Sequence, residues 1–387
     1  MLRFLTAGES HGPAVSVILK GMPSGLPLGA EDIDPDLARR QKGFGSGGRM
    51  KIEKDRVQIL GGVMHGHTIG APICLQVRNL DHVKWQGKAV PPLTTPRPGH
   101  ADLTGAVKYG YRDLRFSLER ASARETTARV AAAAVCRKLL AEFGVSVGSY
   151  VTEIGSVTAD LSDVSIEERA ARADECDVRC PNPKAAEAMR AHIREAMEAR
   201  DTLGGVFEVM ALGVPPGLGS HVHWDRKIEG RLAQALLSIH AIKGVEVGTA
   251  FENARKPGTE VHDEIFLEGE RVTRRTNRAG GTEGGVTTGQ PLLLRAAMKP
   301  LSTTLNPLQT VDLALAQPAP TTYERSDFCA VPRAAVVGEA MVAYVLADEL
   351  LRKLGGDSLA EMKPRFASLR AATLDDLPME AQEHVFW

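Results

Sequence analysis

The sequence predicts an α+β protein with a single large domain and long functional loops, on three observations. Strand-like runs and helical periodicities are interspersed without regular alternation, which disfavours a doubly wound parallel sheet. No Pro/Ser-rich linker divides the 387 residues, although that length exceeds the usual single-domain size. No period of about 20–50 residues recurs, so neither a solenoid nor a propeller is expected.

Strands are expected at 2–6 and 15–19, then a helix at 34–41, then strands at 57–60 and 73–77. A longer helix over 123–143 is signalled at both ends. Ser122 is a suitable N-cap, Glu125 completes a capping box S-x-x-E, and Gly144 follows Phe143 as a stop. The run Ala131 to Ala134 keeps this helix thin, so neighbours can approach its backbone. A strand at 147–154 leads into the charged stretch 160–200, with helices at 166–174 and 183–200, which reads as a peripheral insertion. A strand at 206–212, a helix at 227–240, a strand at 292–296 and an apolar helix at 332–354 complete the pattern. Three polar segments, 79–117, 251–288 and 302–326, are too long for plain connectors and are expected to be functional loops or lids.

Composition narrows the function. Hydrophobic residues at 43% with 25% charged describe a soluble globular chain. A net charge of −1 argues against bulk nucleic-acid binding, so any basic cluster has a local task. Aromatics at 5% are too few for stacking platforms. There is no apolar run near the ~18 residues of a membrane span and no secretory segment, so no membrane partner is expected. The five scattered cysteines suit a reducing cytoplasm, and the Cys176/Cys180 pair lacks the second pair that zinc requires. Glycine is frequent, 38 residues gathered in short runs, which suits backbone brought close to ligands.

The most informative motif is ERASARETTARVAAAAV, from Glu119. It groups Arg120, Arg124 and Arg129 around a helix start, where free N–H groups and partial positive charge favour anions. Arginine forks suit phosphate or carboxylate, although a solvated basic patch is the plainer alternative. Ser122, Thr126 and Thr127 among them favour the anion site.

GFGSGG (43–48) matches G-x-G-x-x-G, yet a helical pattern precedes it and a strand-like run follows, the reverse of a dinucleotide fingerprint. A glycine loop flanked by Arg39, Arg40 and Arg49 fits closure over an anionic substrate better. AGESHGP sets His11 in a loop of small residues, suited to donating a proton near neutrality. Ser10 beside it has no nucleophile elbow, so acyl transfer is rejected. PRPGHAD presents Arg97 and His100 on a rigid turn, catalytic or structural. ERSDFCAVPR sets Arg325 and Asp327 before the last long helix, and AGGTEGGVTTG leads through a strand to Lys299. Together these clusters imply a small polyanionic substrate and a phosphate-bearing cofactor.

GESHGP, RRQ with its glycine loop ending in RM, PRPGHADLTGAVKYGYRD, ERASARETTARVA, KGVEVG, GGVTTGQP, KPLST and RSDFCAVPRAAVVGEAM resemble the chorismate synthase family nearly end to end. That resemblance implies a β-α-β sandwich and a homotetramer. It implies conversion of 5-enolpyruvylshikimate 3-phosphate to chorismate by 1,4-anti elimination of phosphate. Reduced FMN is needed although no net redox change occurs. Carried over by motif, His11 protonates the departing phosphate, His100 stabilises or protonates the reduced flavin, and Asp327 helps the flavin N5 accept the ring proton. Ser10, Arg40, Arg49, Arg97, Arg124 and Arg325 fall where substrate anions are held. Flavin contacts map to Arg120, Ala121, Ser122, His240, Ala241, Gly284, Lys299, Pro300, Leu301, Ser302, Thr303 and Arg325.

Three positions depart from the family's usual pattern: Ser46 where an arginine is common, Ala121 where a serine is, and His240 where an amide is. With no nucleotide fold and no arginine at 46, flavin reduction points to a separate flavin reductase, NADPH acting only indirectly. The alternative is a non-catalytic flavin or phosphometabolite-binding protein. A nicotinamide dehydrogenase rests only on the misplaced glycine motif.

Overall fold

The computed structural model describes residues 1–46, 53–324 and 327–386. Alternation of buried and exposed side chains makes the N-terminal third a sheet. Its strands are β1 (Arg3–Ala7), β2 (Ala14–Lys20), β3 (Val57–Gly61) and β4 (Ile73–Arg78), paired antiparallel in the order β1-β2-β4-β3. Val15, Val17 and Leu19 of β2 point inward with Ile73, Leu75 and Val77 of β4. A second antiparallel sheet comprises β5 (Ser146–Ile154), β6 (Val157–Thr158), β7 (Gly205–Leu212), β8 (Ile242–Val247) and β9 (Leu292–Met298). Their order is β8-β9-β7-β5-β6.

The helices bearing on the core and the site are α1 (Ala30–Gln41), α2 (Asp102–Tyr109), α3 (Arg115–Arg120), α4 (Thr126–Ala141), α5 (Ile166–Asp174), α6 (Pro183–Glu198), α7 (Ile228–Leu237), α8 (Val331–Leu354) and α9 (Leu359–Ala367). Helix α4 packs on β2 and β4, α8 packs on β5 and β7, and α4, α1 and α8 pack on one another. The helices therefore form a layer between two sheets, the β-α-β sandwich that the resemblance implies. Both central helices are apolar nearly all round because both their faces are covered. Ala131–Ala134 are at most 2% exposed, so the alanine run works as a close-packing surface. Gly338 of α8 lies against the Phe207 ring, where an added Cβ would come within 2.5 Å.

Charges inside this layer are compensated. Glu339 of α8 accepts two bonds from Arg39, at 2.7 and 2.9 Å, and one from Ser149 Oγ at 3.0 Å. Burial alone would raise its carboxyl; Arg137 and Arg39 more than offset this and bring it down to about 2. Helices α5 and α6 pack on β5 and β6, and Met189 and Ile193 of α6 join the main core. The three long polar segments carry structure of their own. Residues 79–117 contain a 3₁₀ turn and α2, whereas 251–288 contains two two-stranded ribbons and 302–326 contains one.

One local expectation is corrected. The helix does not start at 123 behind a capping box. Residues Ala123–Glu125 form a 3₁₀ turn capped by Ser122 Oγ, which accepts from Arg124 N at 3.3 Å. The Glu125 carboxylate is diverted to Thr6 Oγ1 at 2.6 Å and to Arg129 Nε at 2.8 Å, which leaves it unavailable to the N-cap backbone.

Candidate active site

Loops from both halves of the sandwich converge on one cleft of about 460 Å³, within the usual range for small-molecule sites. The β1–β2 loop contributes Ser10 and His11, the turn before α2 contributes Arg97 and His100, and the turn between α3 and α4 contributes Ala121, Ser122 and Arg124. The end of α7 contributes His240 and Ala241, the end of β9 contributes Lys299 through Thr303, and the start of α8 contributes Asp327 and Arg333. Backbone geometry explains some of this convergence. Gly8 (φ 106°) lets β1 turn where a Cβ would come within 2.3 Å of Ala14 O. Ala241 holds φ 65°, a costly conformation for a non-glycine residue, and its carbonyl accepts Lys299 N at 3.0 Å.

His11 is held on several sides. Its Nδ1 meets Glu119 Oε1 at 2.7 Å, and its backbone N–H donates to Glu119 Oε2 at 2.8 Å. Its carbonyl accepts His82 Nδ1 at 2.8 Å, and its ring lies 4.4 Å from the Trp85 ring. Burial alone would raise the Glu119 carboxyl; bonds from His11 more than offset that and hold it low. His100 Nδ1 meets Asp102 Oδ1 at 2.5 Å, but Asp102 also takes Arg97 Nε at 2.7 Å and Nη2 at 3.0 Å. Burial would raise Asp102; the bonds from His100 and Arg97 outweigh it and push it well below the usual carboxylate range.

The arginines expected to hold anions are themselves partly neutralised. Arg124 donates to Asp55 Oδ1 at 2.6 Å, to Asn79 Oδ1 at 2.6 Å and to Arg78 O at 3.0 Å. Arg40 donates to Thr126 Oγ1 at 3.0 Å and to Ala123 O at 3.1 Å, and it shares Asp55 at 3.4 Å. Burial lowers Arg40 to about 10, which still leaves it cationic at neutral pH. His240 is pushed down to about 4, chiefly by burial, and its Nδ1 meets no hydrogen-bond partner among the described residues.

Of the residues carried over by motif, Ser10, His11, Arg40, Arg97, His100, Ala121, Ser122, Arg124, His240, Ala241, Lys299, Pro300, Leu301, Ser302, Thr303 and Asp327 line the cleft. Arg120 and Gly284 do not. Arg120 donates to Gly8 O at 3.2 Å and to Thr6 O at 3.0 Å, and Gly284 sits in the β-turn joining Thr282–Glu283 to Val286–Thr287. Arg49, Arg325 and the end of the glycine loop lie outside the described residues. Sequence reasoning passed over Trp85 and Arg333, which also line the cleft, as does Thr126, which it had grouped with the anion-binding arginines. Arg333 pairs with Asp327 and stands inside the motif ERSDFCAVPR, so an arginine one turn into α8 was a readable signal.

The chorismate synthase family model matches residues 2–351. The chorismate synthase of Aquifex aeolicus is 53% identical over 383 residues, covering 94% of this chain and 96% of that protein. That of Rubrobacter xylanophilus is 54% identical over 371 residues, covering 94% and 95%. A crystal structure of a chorismate synthase superposes with a TM-score of 0.79 at 47% identity, covering 95% of this chain and 96% of that one.

Proposed function

The chain belongs to the chorismate synthase family, and from that premise we propose that it eliminates phosphate from 5-enolpyruvylshikimate 3-phosphate to give chorismate, with reduced FMN bound and no net redox change. The observation that carries this reading is the meeting of His11, His100 and Asp327 in one cleft that also presents Lys299, Arg40 and Arg333. A substrate with one phosphate and two carboxylates needs such compensating donors on several sides when water is excluded.

The residues present fit a flavin. Met298, Leu301, Ala334 and Val337 offer an apolar wall for a planar ring system, and Ser302, Thr303 and Lys299 offer donors beside it. The buried His240 Nδ1, which has no partner among the described residues, is a polar atom that a ring edge would satisfy. When bound, the reduced flavin supplies electron density that eases departure of the phosphate.

The chain's own groups do the rest. His11 gives a proton to the leaving phosphate oxygen. Asp327, paired with Arg333, is the carboxylate through which the chain assists removal of the ring proton. His100 would serve a bound flavin as a donor, with Asp102 fixing its orientation. Arg40 and Arg124 are held in place by Asp55 and Thr126, so they meet an incoming anion without searching rotamers.

In this reading the protein is a cytoplasmic homotetramer served by a separate flavin reductase. In such a homotetramer Arg120 and Gly284, which do not line the cleft of their own chain, would contact flavin from a neighbouring subunit. Among the described residues no helix is long and apolar enough to cross a membrane.

Anaerobic incubation with chemically reduced FMN and the phosphorylated substrate tests the reading. Chorismate absorbance and phosphate release are expected to rise together. Binding of both ligands without turnover would favour the non-catalytic alternative, and NAD(P)H oxidation would favour a dehydrogenase.

A further inference from the structure

The geometry points to Glu119 as the positioning residue of His11: its carboxylate fixes the Nδ1-protonated ring and leaves Nε2 as the nitrogen that serves the leaving phosphate. This inference rests on the proposed role of His11 as the acid. Glu119 lies in the last turn of α3, and it grips the β1–β2 loop at three atoms. Its carbonyl accepts Ser10 N at 3.0 Å, Oε2 accepts His11 N at 2.8 Å, and Oε1 meets His11 Nδ1 at 2.7 Å.

An ionised carboxylate can only accept, so the Nδ1 atom carries the proton. Both side chains are 16% exposed, enough burial for the contact to be only lightly screened. The Trp85 ring, 4.4 Å away and tilted by 45°, limits rotation of the imidazole about the same contact. The low-lying Glu119 carboxyl is consistent with this ionised role.

Comparison with the other loop histidine strengthens the assignment. Asp102 divides its two oxygens between His100 and the buried Arg97, so it serves as a structural counter-ion as well. Glu119 gives both of its oxygens to His11 alone among the bonds at this loop. In the reaction the imidazolium Nε2–H bond breaks, its electron pair stays on nitrogen, and the proton bonds to the departing phosphate oxygen. The Nδ1–H stays on His11, hydrogen-bonded to Glu119, which is not itself protonated, and solvent water returns the Nε2 proton before the next turnover.

The test uses the full-length protein as Glu119→Ala and Glu119→Gln, with His11→Ala as reference. Histidine 15N spectra, assigned by the signal missing in His11→Ala, are expected to show neutral His11 protonated at Nδ1 in the parent protein and at Nε2 in Glu119→Ala. Turnover should fall roughly 10-fold or more in Glu119→Ala, within the ~10²–10⁴-fold ceiling of the acid itself. KM should change by less than about 3-fold, because the lost contact matters in the transition state. Adding Glu119→Ala to His11→Ala should slow the enzyme no further.

Glu119→Gln keeps an acceptor for Nδ1–H and loses the charge, so it should retain the tautomer and part of the rate; it serves alone if Glu119→Ala fails to fold. An unchanged tautomer together with an unchanged rate in either variant would overturn the inference. A parent protein that turns over no substrate would overturn the functional reading instead, while the tautomer still judges Glu119.

Discussion

The walls of the cleft built from the N-terminal and C-terminal halves of the chain differ in how their polar groups are matched. Among the described residues of the N-terminal wall, each cation or histidine that lines the cleft meets a carboxylate: Arg97 and His100 on Asp102, Arg124 and Arg40 on Asp55, His11 on Glu119. In the C-terminal wall His240 Nδ1 meets no partner among the described residues, and Lys299 Nζ donates to a carbonyl, Gly99 O, at 2.5 Å. Lys299 forms no ion pair with a carboxylate among the described residues. The first wall is therefore complete before ligand arrives and presents donors in fixed positions. The second retains unmatched polarity, which a bound anion and an aromatic cofactor would complete. Preorganisation and affinity are thus assigned to different parts of the sequence.

The largest effects should come from the complete wall. His11→Ala should slow turnover by roughly 10²–10⁴-fold in the anaerobic assay, the usual contribution of general acid catalysis. Parent rates in that variant would remove His11 from the mechanism. Asp102→Ala leaves the Arg97 guanidinium buried without its counter-ion, so urea denaturation should report a loss of about 3–5 kcal/mol. A loss below about 1 kcal/mol would mean that this wall is not internally balanced.

Smaller effects are expected in the C-terminal wall. Lys299→Ala should weaken reduced-FMN or substrate binding by about 1.5–3 kcal/mol in calorimetry, the worth of a hydrogen bond to a charged group. Its effect on the stability of the unliganded protein should be minor, since among the described residues its ammonium meets only a carbonyl. The converse result would place Lys299 with the structural residues. His240→Asn should act through pH. A folded value near 4 against 6.5 unfolded means that the unfolded chain binds the extra proton between those values. Stability should then rise by up to about 1.4 kcal/mol per pH unit across that window and level off above it. His240→Asn should flatten this slope in denaturant titrations from pH 4.5 to 7. Asp102 acts in a different window, because its stabilisation is lost only as pH falls below its unfolded value near 3.8.

The helices and strands of the core were legible because their signals are local. The apolar run 332–354 defined α8 to within a residue, and the strand-like runs 15–19 and 73–77 located β2 and β4. The order β8-β9-β7-β5-β6 was not, because pairing between distant strands leaves no mark on either one alone. The start of α4 was misread for a related reason: Thr6, 119 positions from Glu125, claims the carboxylate that a capping box needs.

At the site, His11, His100 and Asp327 stood out within motifs. Their partners were harder to read. Glu119 lies 108 positions from His11, and Asp55 lies 69 positions from Arg124, so only folding brings each pair together. Asp102, two positions from His100 inside PRPGHAD, was within reach of sequence reasoning. Arg120 was assigned to the flavin by motif; within its own chain its guanidinium donates to the carbonyls of Thr6 and Gly8.

The most direct measurement is the number of chorismate molecules formed per reduced flavin under strict exclusion of oxygen, with the flavin spectrum recorded throughout. The expected result is many turnovers per flavin, phosphate matching chorismate one for one, and a reduced flavin spectrum at the end. Product limited to one equivalent per flavin, with oxidised flavin accumulating, would contradict an elimination without net redox change.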